Sequence, residues 1–397
     1  MVLDTRELNR TAVLTQLMRD RPASRKALSE ASGISAATVT RAVDILIGQG
    51  IVAETTEVVS ANRGRRAIHL DLVAQREYVI GIDVGASNTR LIVADLLAKP
   101  ALALEVPTPS GLEAPALASW LGDQLREAAG DLWDRVSHIC MGLPGAVSET
   151  ERSVSNAPNL PQIEAPGFLG HVEALAGVPL RFDNDANYAL LGEQHFGAAR
   201  SASTAAMLTI GAGLGAGLAI DGRILRGDRG LIGEFGQLPV GPLGTRLEHM
   251  VSGGGILRRA AEAGVVLDDP ARLFRPDVPP AVQSLRAHFD QALLIVLAAA
   301  TVSCDPQVIV LGGGISKSLA STLDRYQVAL QQNLRASPRL AVAELGDFSG
   351  AVGAVVAALQ DAYVEMGVEE EAALALPQGE SLVASGIEHA RRSHVAQ

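Results

Sequence analysis

The chain has 397 residues, 48% of them hydrophobic and only 3% aromatic, and a net charge of −11. That length accommodates two or three domains with aliphatic cores, and no apolar run reaches the roughly 18 residues of a membrane span. The polar, charged N-terminus shows no signal-peptide pattern. Cys140 and Cys304 lie in apolar surroundings, so the expectation is a cytoplasmic protein with two buried thiols and no disulfide framework.

The charge is uneven. Residues 1–75 hold 10 Lys or Arg against 8 Asp or Glu, whereas the remainder is strongly acidic. Only this head is expected to meet nucleic acid. Residues 7–20 read as a first helix, with Leu14, Leu17 and Met18 on one face. Ser24 caps a second helix to about Ala31, Ser32-Gly33 breaks it, and Ser35 caps a third in which Val39, Ala42, Val43 and Leu46 repeat at helical spacing. Two short helices across a tight glycine turn make a helix-turn-helix, whose second helix enters a major groove with its N-terminal residues. Thr38, Thr40 and Arg41 are expected near base edges and Ser35 near phosphate. Ile51–Glu54 and Ala67–Leu72 read as paired strands. The tip between them carries Arg63, Arg65 and Arg66, a basic wing suited to phosphates or a minor groove.

The wording SRKALSEASGISAATVTRAVDILIGQGIV, followed by GRRAIHL, resembles the winged helix-turn-helix of ROK-family sugar-responsive repressors over about residues 7–72. The resemblance implies binding to a roughly palindromic double-stranded operator by a homo-oligomer, a dimer or tetramer, with no membrane partner.

The body opens on Tyr78–Asp95, two apolar runs around the turn Gly85-Ala86-Ser87-Asn88, which predicts a buried hairpin. Small residues and successive N–H groups there suit a phosphate, and Asp83 beside them suits Mg²⁺. Ala101–Val106 is a third strand, Leu112–Leu132 a helix and Val136–Gly142 a strand ending in a Pro-Gly turn. Between strand Val178–Asp183 and helix Ala186–Phe196 lies Asp183-Asn184-Asp185-Ala186-Asn187, a cluster suited to polyols, with Asp185 a candidate general base. Ala206–Asp221 repeats the glycine hairpin with Gly211, Gly213, Gly215 and Gly217, which predicts a duplicated α/β unit with both turns at one cleft. Neither turn fits a Walker A or dinucleotide fingerprint. Glu234 lies amid glycine and apolar residues, and Ser252-Gly253-Gly254-Gly255 reads as a close backbone approach more than a helix interior. Leu285–Ser303 is a long apolar helix, Val308–Leu311 a strand running into Gly312-Gly313-Gly314, and Ser349–Asp361 the final helix of the fold. The remainder, 366–397, carries a Glu run and a Pro-Gln-Gly stretch and is expected to be partly disordered.

GIDVGASNTR, GLPGAV, APNLP, DNDAN, LTIGAGLGAGLAIDGRILRG, GEFG and DPQVIVLGGGIS, in that order, resemble the ROK family of the sugar kinase/actin-like superfamily over about residues 77–360. The resemblance implies an α/β fold in which the winged helix-turn-helix (1–74) precedes a two-lobed actin-like, ribonuclease H-like body: a first lobe (75–200), completed by helices near 345–365, and a second (201–344). It implies sugar contacts at Asn159, Asn184, Asp185, Glu234, Gln237 and Glu248. It also implies phosphate loops at Asp83, Gly85, Ser87, Gly211, Gly213 and Gly215, and an adenosine side at Gly313 and Gly314. Gln237 stands where much of the family has a zinc-binding His, and 238–247 contain no Cys or His, so no structural zinc is expected. Ala86, Ser87, Ala212 and Ala216 depart from the kinase turns, which suggests decayed ATP binding. The leading expectation is a sugar-responsive regulator that requires no cofactor. The rival is a Mg²⁺-ATP-dependent sugar kinase with Asp185 as its base.

Overall fold

The computed structural model describes residues 4–55, 68–240, 244–335 and 337–395. In the head, α1 (Thr5–Arg19), α2 (Arg25–Ser32) and α3 (Ala36–Gly48) precede an antiparallel pair, β1 (Val52–Thr55) and β2 (His69–Leu72). Each helix start has a side-chain acceptor: Asp4, Ser24 and Ser35 take the backbone N–H of Arg6, Ala27 and Thr38 at 3.4, 3.1 and 3.3 Å. Such caps satisfy donors that a helix leaves orphaned. Gly33, at φ 70°, ends α2 in the left-handed region. Leu14, Leu17, Leu28, Val39, Val43 and Leu46 are buried at the centre. Arg25 ties the root of the wing to α3 through Glu54 (2.7 Å) and Asp44 (3.4 Å). The wing tip with Arg63, Arg65 and Arg66 lies outside the described residues.

The first half of the body comprises β3 (Tyr78–Val84), β4 (Asn88–Asp95), β5 (Pro100–Pro107), α4 (Ala114–Ala129), β6 (Val136–Leu143), the small hairpin β7 (Ala146–Ser148) and β8 (Ser153–Ser155), α5 (Phe168–Ala176), β9 (Leu180–Asn184) and α6 (Asp185–Phe196). Its sheet runs β5-β4-β3-β6-β9, with β3, β4 and β5 antiparallel and β3, β6 and β9 parallel. The second half comprises β10 (Ala205–Ile210), β11 (Leu214–Ile220), β12 (Arg223–Ile224), the pair β13 (Pro239–Val240) and β14 (Thr245–Arg246), α7 (Glu248–Val251), α8 (Gly253–Glu262), α9 (Pro280–Cys304), β15 (Val308–Gly312), α10 (Ser316–Leu319), α11 (Leu323–Leu334) and β16 (Arg339–Val342). Its sheet, β12-β11-β10-β15-β16, repeats the design of three antiparallel strands followed by two parallel additions. The duplication expected from the two glycine hairpins is thus a duplication of strand order.

α12 (Ser349–Glu365) returns from the second sheet to pack on β3, β6 and α6. Alternation along β3 sorts its side chains: Val79 joins the α12 side, and Ile80 and Ile82 join the α4 and α5 side. α6 and α12 touch through glycines, and a Cβ at Gly353 would overlap the carbonyl oxygen of Tyr188. Glu193 of α6 is fully buried. Its carboxylate accepts from the N–H of Ala198 (2.7 Å), Glu344 (3.1 Å) and Leu345 (3.0 Å) and from Ser349 Oγ (2.8 Å). One side chain therefore anchors both passages of the chain between the two sheets.

Two expectations change. The tail is folded: α13 (Glu370–Ala373) and α14 (Ala384–Val395) pack back on the body, and Val368, Ala372, Leu376, Leu382 and Ile387 join the core shared by α12 and the head. Its Glu run masked aliphatic residues spaced for burial, and Gln360 Nε2 secures it by donating to the carbonyls of Leu374 and Leu376. Gly253–Gly255 begin a helix, because Ser252 caps it through Gly255 N–H (3.1 Å). The close approach is also present, since Gly253 N–H donates to the Gly211 carbonyl (2.8 Å). α9 is the one helix among the described residues long and apolar enough to cross a membrane. Its Phe289, Leu293, Val296 and Leu297 are buried against the second sheet.

Candidate functional site

The two hairpin turns, the start of α6 and the glycines after β15 wall a single cleft of about 720 Å³. The local bonding shows why the turns can receive an anion. In the first, Thr108 takes up the carbonyls: its Oγ1 donates to Gly85 O (2.7 Å) and its N–H to Ser87 O (3.0 Å). No acceptor among the described residues takes the N–H of Ala86 or Ser87. In the second, Gly211 N–H donates to Gly213 O, and the N–H groups of Ala212 and Gly213 are likewise without a described acceptor. Unpaired amides clustered at one mouth are what a phosphate cradle presents. Gly313, at φ 80°, and Gly314 supply a third turn on the same cleft.

Asn184 and Asp185 are set by α6. Asn184 Oδ1 caps the helix, accepting from Ala186 and Asn187 N–H (2.9 and 3.2 Å), while its Nδ2 donates to the Gly145 carbonyl (2.8 Å). Asn184 thus lines the cleft but is largely engaged in building it. Asp183 turns away from the cleft, holding Asn187 Nδ2 (2.8 Å) and Arg226 Nε (2.7 Å). Arg226 follows β12, so this ion pair joins the two halves of the body.

Six carboxylates line the cleft: Asp83, Asp185, Glu234, Glu248, Asp269 and Asp347. Burial, followed by the charges of Asp83 and Glu234, pushes Asp185 up to about 8 despite its bond from Ala186 N–H. Burial raises Asp83 to about 6, opposed by Arg90, its cross-strand partner. Burial and then Glu248 raise Glu234 to about 7. Crowded acids of this kind favour either protons or a ligand that donates hydrogen bonds.

The residues implied by the resemblance all line this cleft: Asn159, Asn184, Asp185, Glu234, Gln237 and Glu248, together with Asp83, Gly85, Ser87, Gly211, Gly213, Gly215, Gly313 and Gly314, whereas Asp183 does not. A Cβ at Gly213 would stand 2.8 Å from Glu248 Oε1 and 3.1 Å from Asn159 Nδ2, and one at Gly350 would stand 2.7 Å from Asp83 Cγ and Oδ2. The first turn of α12 therefore touches Asp83. Sequence reading missed Arg90, Asn156, Asp269 and Asp347 as cleft residues. Only Arg90 carried a signal, since a hairpin centred on residues 85–88 places it opposite Asp83. Among the described residues, no group of three or more His, Cys, Asp or Glu is placed to hold a metal ion.

In the head, Ser35, Thr40 and Arg41 are exposed and Thr38 is half-buried. Two hydroxyls expected at base edges already have local partners: Thr38 bonds the Ser35 hydroxyl (2.9 Å), and Thr40 donates to the Ala36 carbonyl (2.8 Å). Arg41 forms no ion pair among the described residues.

Comparison with known proteins accords with this layout. Residues 6–53 match a winged helix-turn-helix DNA-binding model, and residues 79–361 match the ROK family. A putative xylose repressor of Caldicellulosiruptor sp. is 29% identical over 238 residues, which are 59% of this chain and 59% of that one. The chain thus aligns with about six-tenths of that relative's length. The ROK hexokinase of Thermus thermophilus is 30% identical, with a TM-score of 0.60 over 73% of this chain and 99% of its own. A ROK family transcriptional regulator, a homolog of the E. coli MLC protein, superposes with a TM-score of 0.73 over 91% of this chain and 99% of its own at 20% identity, a likeness of fold. With a family match spanning well over half of its residues, and with a head and a two-sheet body of the matching design, this chain belongs to the ROK family.

Proposed function

We propose that the protein is a transcriptional repressor whose hold on a double-stranded operator changes when a sugar or sugar derivative fills the cleft. The observation that carries this reading is α12. Its first turn lies against Asp83, and its far end enters the core that contains the head. At that end Tyr363 Oη donates to the Leu96 carbonyl (2.7 Å), and four residues past the helix Glu369 N–H donates to Thr15 Oγ1 of α1 (2.9 Å). Over 17 residues the helix spans about 25 Å. A ligand that shifts its first turn therefore has a rigid route to the head, provided that it binds the two arrangements unequally. Two copies of the chain place two recognition helices on the half-sites of a palindrome. The cytoplasm is the compartment that this role requires. Sugar chemistry is supported by the carboxylates that line the cleft and by a relative named as a putative xylose repressor. The test is a sugar titration of parent and Asp185→Ala protein on operator DNA. The parent releases DNA as sugar is added, and the variant binds DNA equally but responds weakly. Equal responses remove Asp185 from the site.

One observation favours a second reading, sugar phosphorylation: the unpaired N–H groups of both hairpin turns belong to residues that line the same cleft as Asp185. The turns would hold the phosphates of Mg²⁺-ATP, Asp83 the cation and Gly313–Gly314 the nucleoside. When bound, that group supplies the phosphoryl for transfer. Asp185, raised by burial, is placed to take a proton from a sugar hydroxyl. The methyls of Ala86 and Ala212 narrow two of the turns, which places this reading second. ADP release across a sugar panel, lost in Asp185→Asn, would reverse that order.

A further inference from the structure

The two glutamates of the cleft stand at the two ends of one small loop. Glu234 precedes the turn Phe235–Gln237, β13 and β14 pair with Pro239 opposite Arg246, and Glu248 opens α7. The base of the loop is closed by backbone. Leu247 N–H donates to the Leu238 carbonyl (3.0 Å), and Gln237 N–H donates to the Glu234 carbonyl (3.1 Å). Across it, Arg246 Nη1 donates to Gln237 Oε1 at 2.5 Å. A guanidinium carries donors only, so the atom of Gln237 that it meets is the carbonyl oxygen. The two N–H bonds of that amide have no partner among the described residues, and Gln237 lines the cleft.

We propose that Arg246 is a positioning residue that holds the Gln237 amide with its donors toward the cleft, so that the ligand meets Gln237 with an oxygen acceptor. The inference rests on the sugar-site reading above and gives it a polarity. Two acids offer acceptors, and Gln237 offers the complementary donors. An ammonium facing Gln237 has no lone pair for the amide, whereas a hydroxyl or acyl oxygen does. The same contact pins the loop that carries both acids.

Calorimetric titration of the full chain with D-xylose, D-glucose and N-acetyl-D-glucosamine identifies the sugar that the parent binds. For that sugar, Arg246→Met weakens binding about three- to tenfold, the worth of one hydrogen bond. Arg246→Lys, still a donor only, recovers most of the loss. Gln237→Glu keeps a partner for Arg246 but removes the donors. It melts at or above the parent temperature and binds at least about tenfold more weakly, an outcome that a purely structural role for the pair does not produce. Parent affinity in Arg246→Met, or in Gln237→Glu, overturns the proposal and leaves the sugar reading standing. If none of the three sugars binds the parent, the reading and the proposal fall together.

Discussion

The two ends of α12 sit in opposite chemistries. At the cleft, its first turn presses on Asp83 among acids whose protons are held above their usual range by burial and mutual repulsion. At the head, Ala362, Tyr363 and Met366 are buried in an apolar core with Leu14, Leu17 and Val368. Charge balance at the first end changes with whatever enters the cleft. Packing at the second end is close to all-or-none, because interiors are dense and do not deform smoothly. A small electrostatic change at one end of a rigid helix is thereby converted into a choice between packed arrangements at the other.

Four substitutions break or sharpen this contrast. The largest effect belongs to Gly353→Val at the crossing of α12 and α6, where any side chain meets the Tyr188 carbonyl. We expect a loss of at least about 4 kcal/mol in urea unfolding, or insoluble protein. Parent stability would show that the crossing is loose and α12 a poor rod. Next, Glu193→Ala removes the acceptor of three buried N–H groups and a hydroxyl. A loss of about 3–5 kcal/mol is expected, and a loss below about 1 kcal/mol would mean that the passages between the sheets are held elsewhere.

Asp185→Asn acts at the charged end and has the opposite sign. A carboxyl raised to about 8 in the folded chain, from an ordinary 3.8, costs nothing below pH 4 and destabilises progressively as pH rises to 8. The unliganded variant should therefore exceed the parent by on the order of 1–3 kcal/mol at pH 8, with a smaller gap at pH 5. Melting at the two pH values reads this, and a gap that shrinks with rising pH refutes it. The smallest effect is at the apolar end. Thr15→Val keeps the packing volume but leaves Glu369 N–H without its acceptor, at a cost of about 1 kcal/mol. A drop in sugar response larger than that stability loss explains would place Thr15 on the route.

Much of this was legible in the sequence because it rests on local chemistry. Ser24, Ser35 and Gly33 mark helix ends by capping and φ, and the two glycine hairpins announce a repeated sheet through apolar runs either side of small-residue turns. The cleft residues were readable for the same reason, since each sits at a turn or a strand end. What was hidden depends on distant partners. Glu193 looks like any helical surface acid until residues 344–349 fold over it. The charged tail reads as solvated, because Leu376, Leu382 and Ile387 acquire a reason to be buried only once α12 and the head supply the surface. Arg226 and Asp183 lie 43 residues apart and meet only when the two halves close.

The most direct test of the coupling is amide hydrogen exchange on the full chain with the cleft empty and then saturated with the sugar that it binds. The account predicts that saturation alters protection at Glu369 and along residues 11–18 of α1 as well as at the cleft turns, and that Asp185→Ala abolishes the distant change. Altered protection confined to the cleft turns, with α1 and Glu369 unmoved at full occupancy, would contradict it.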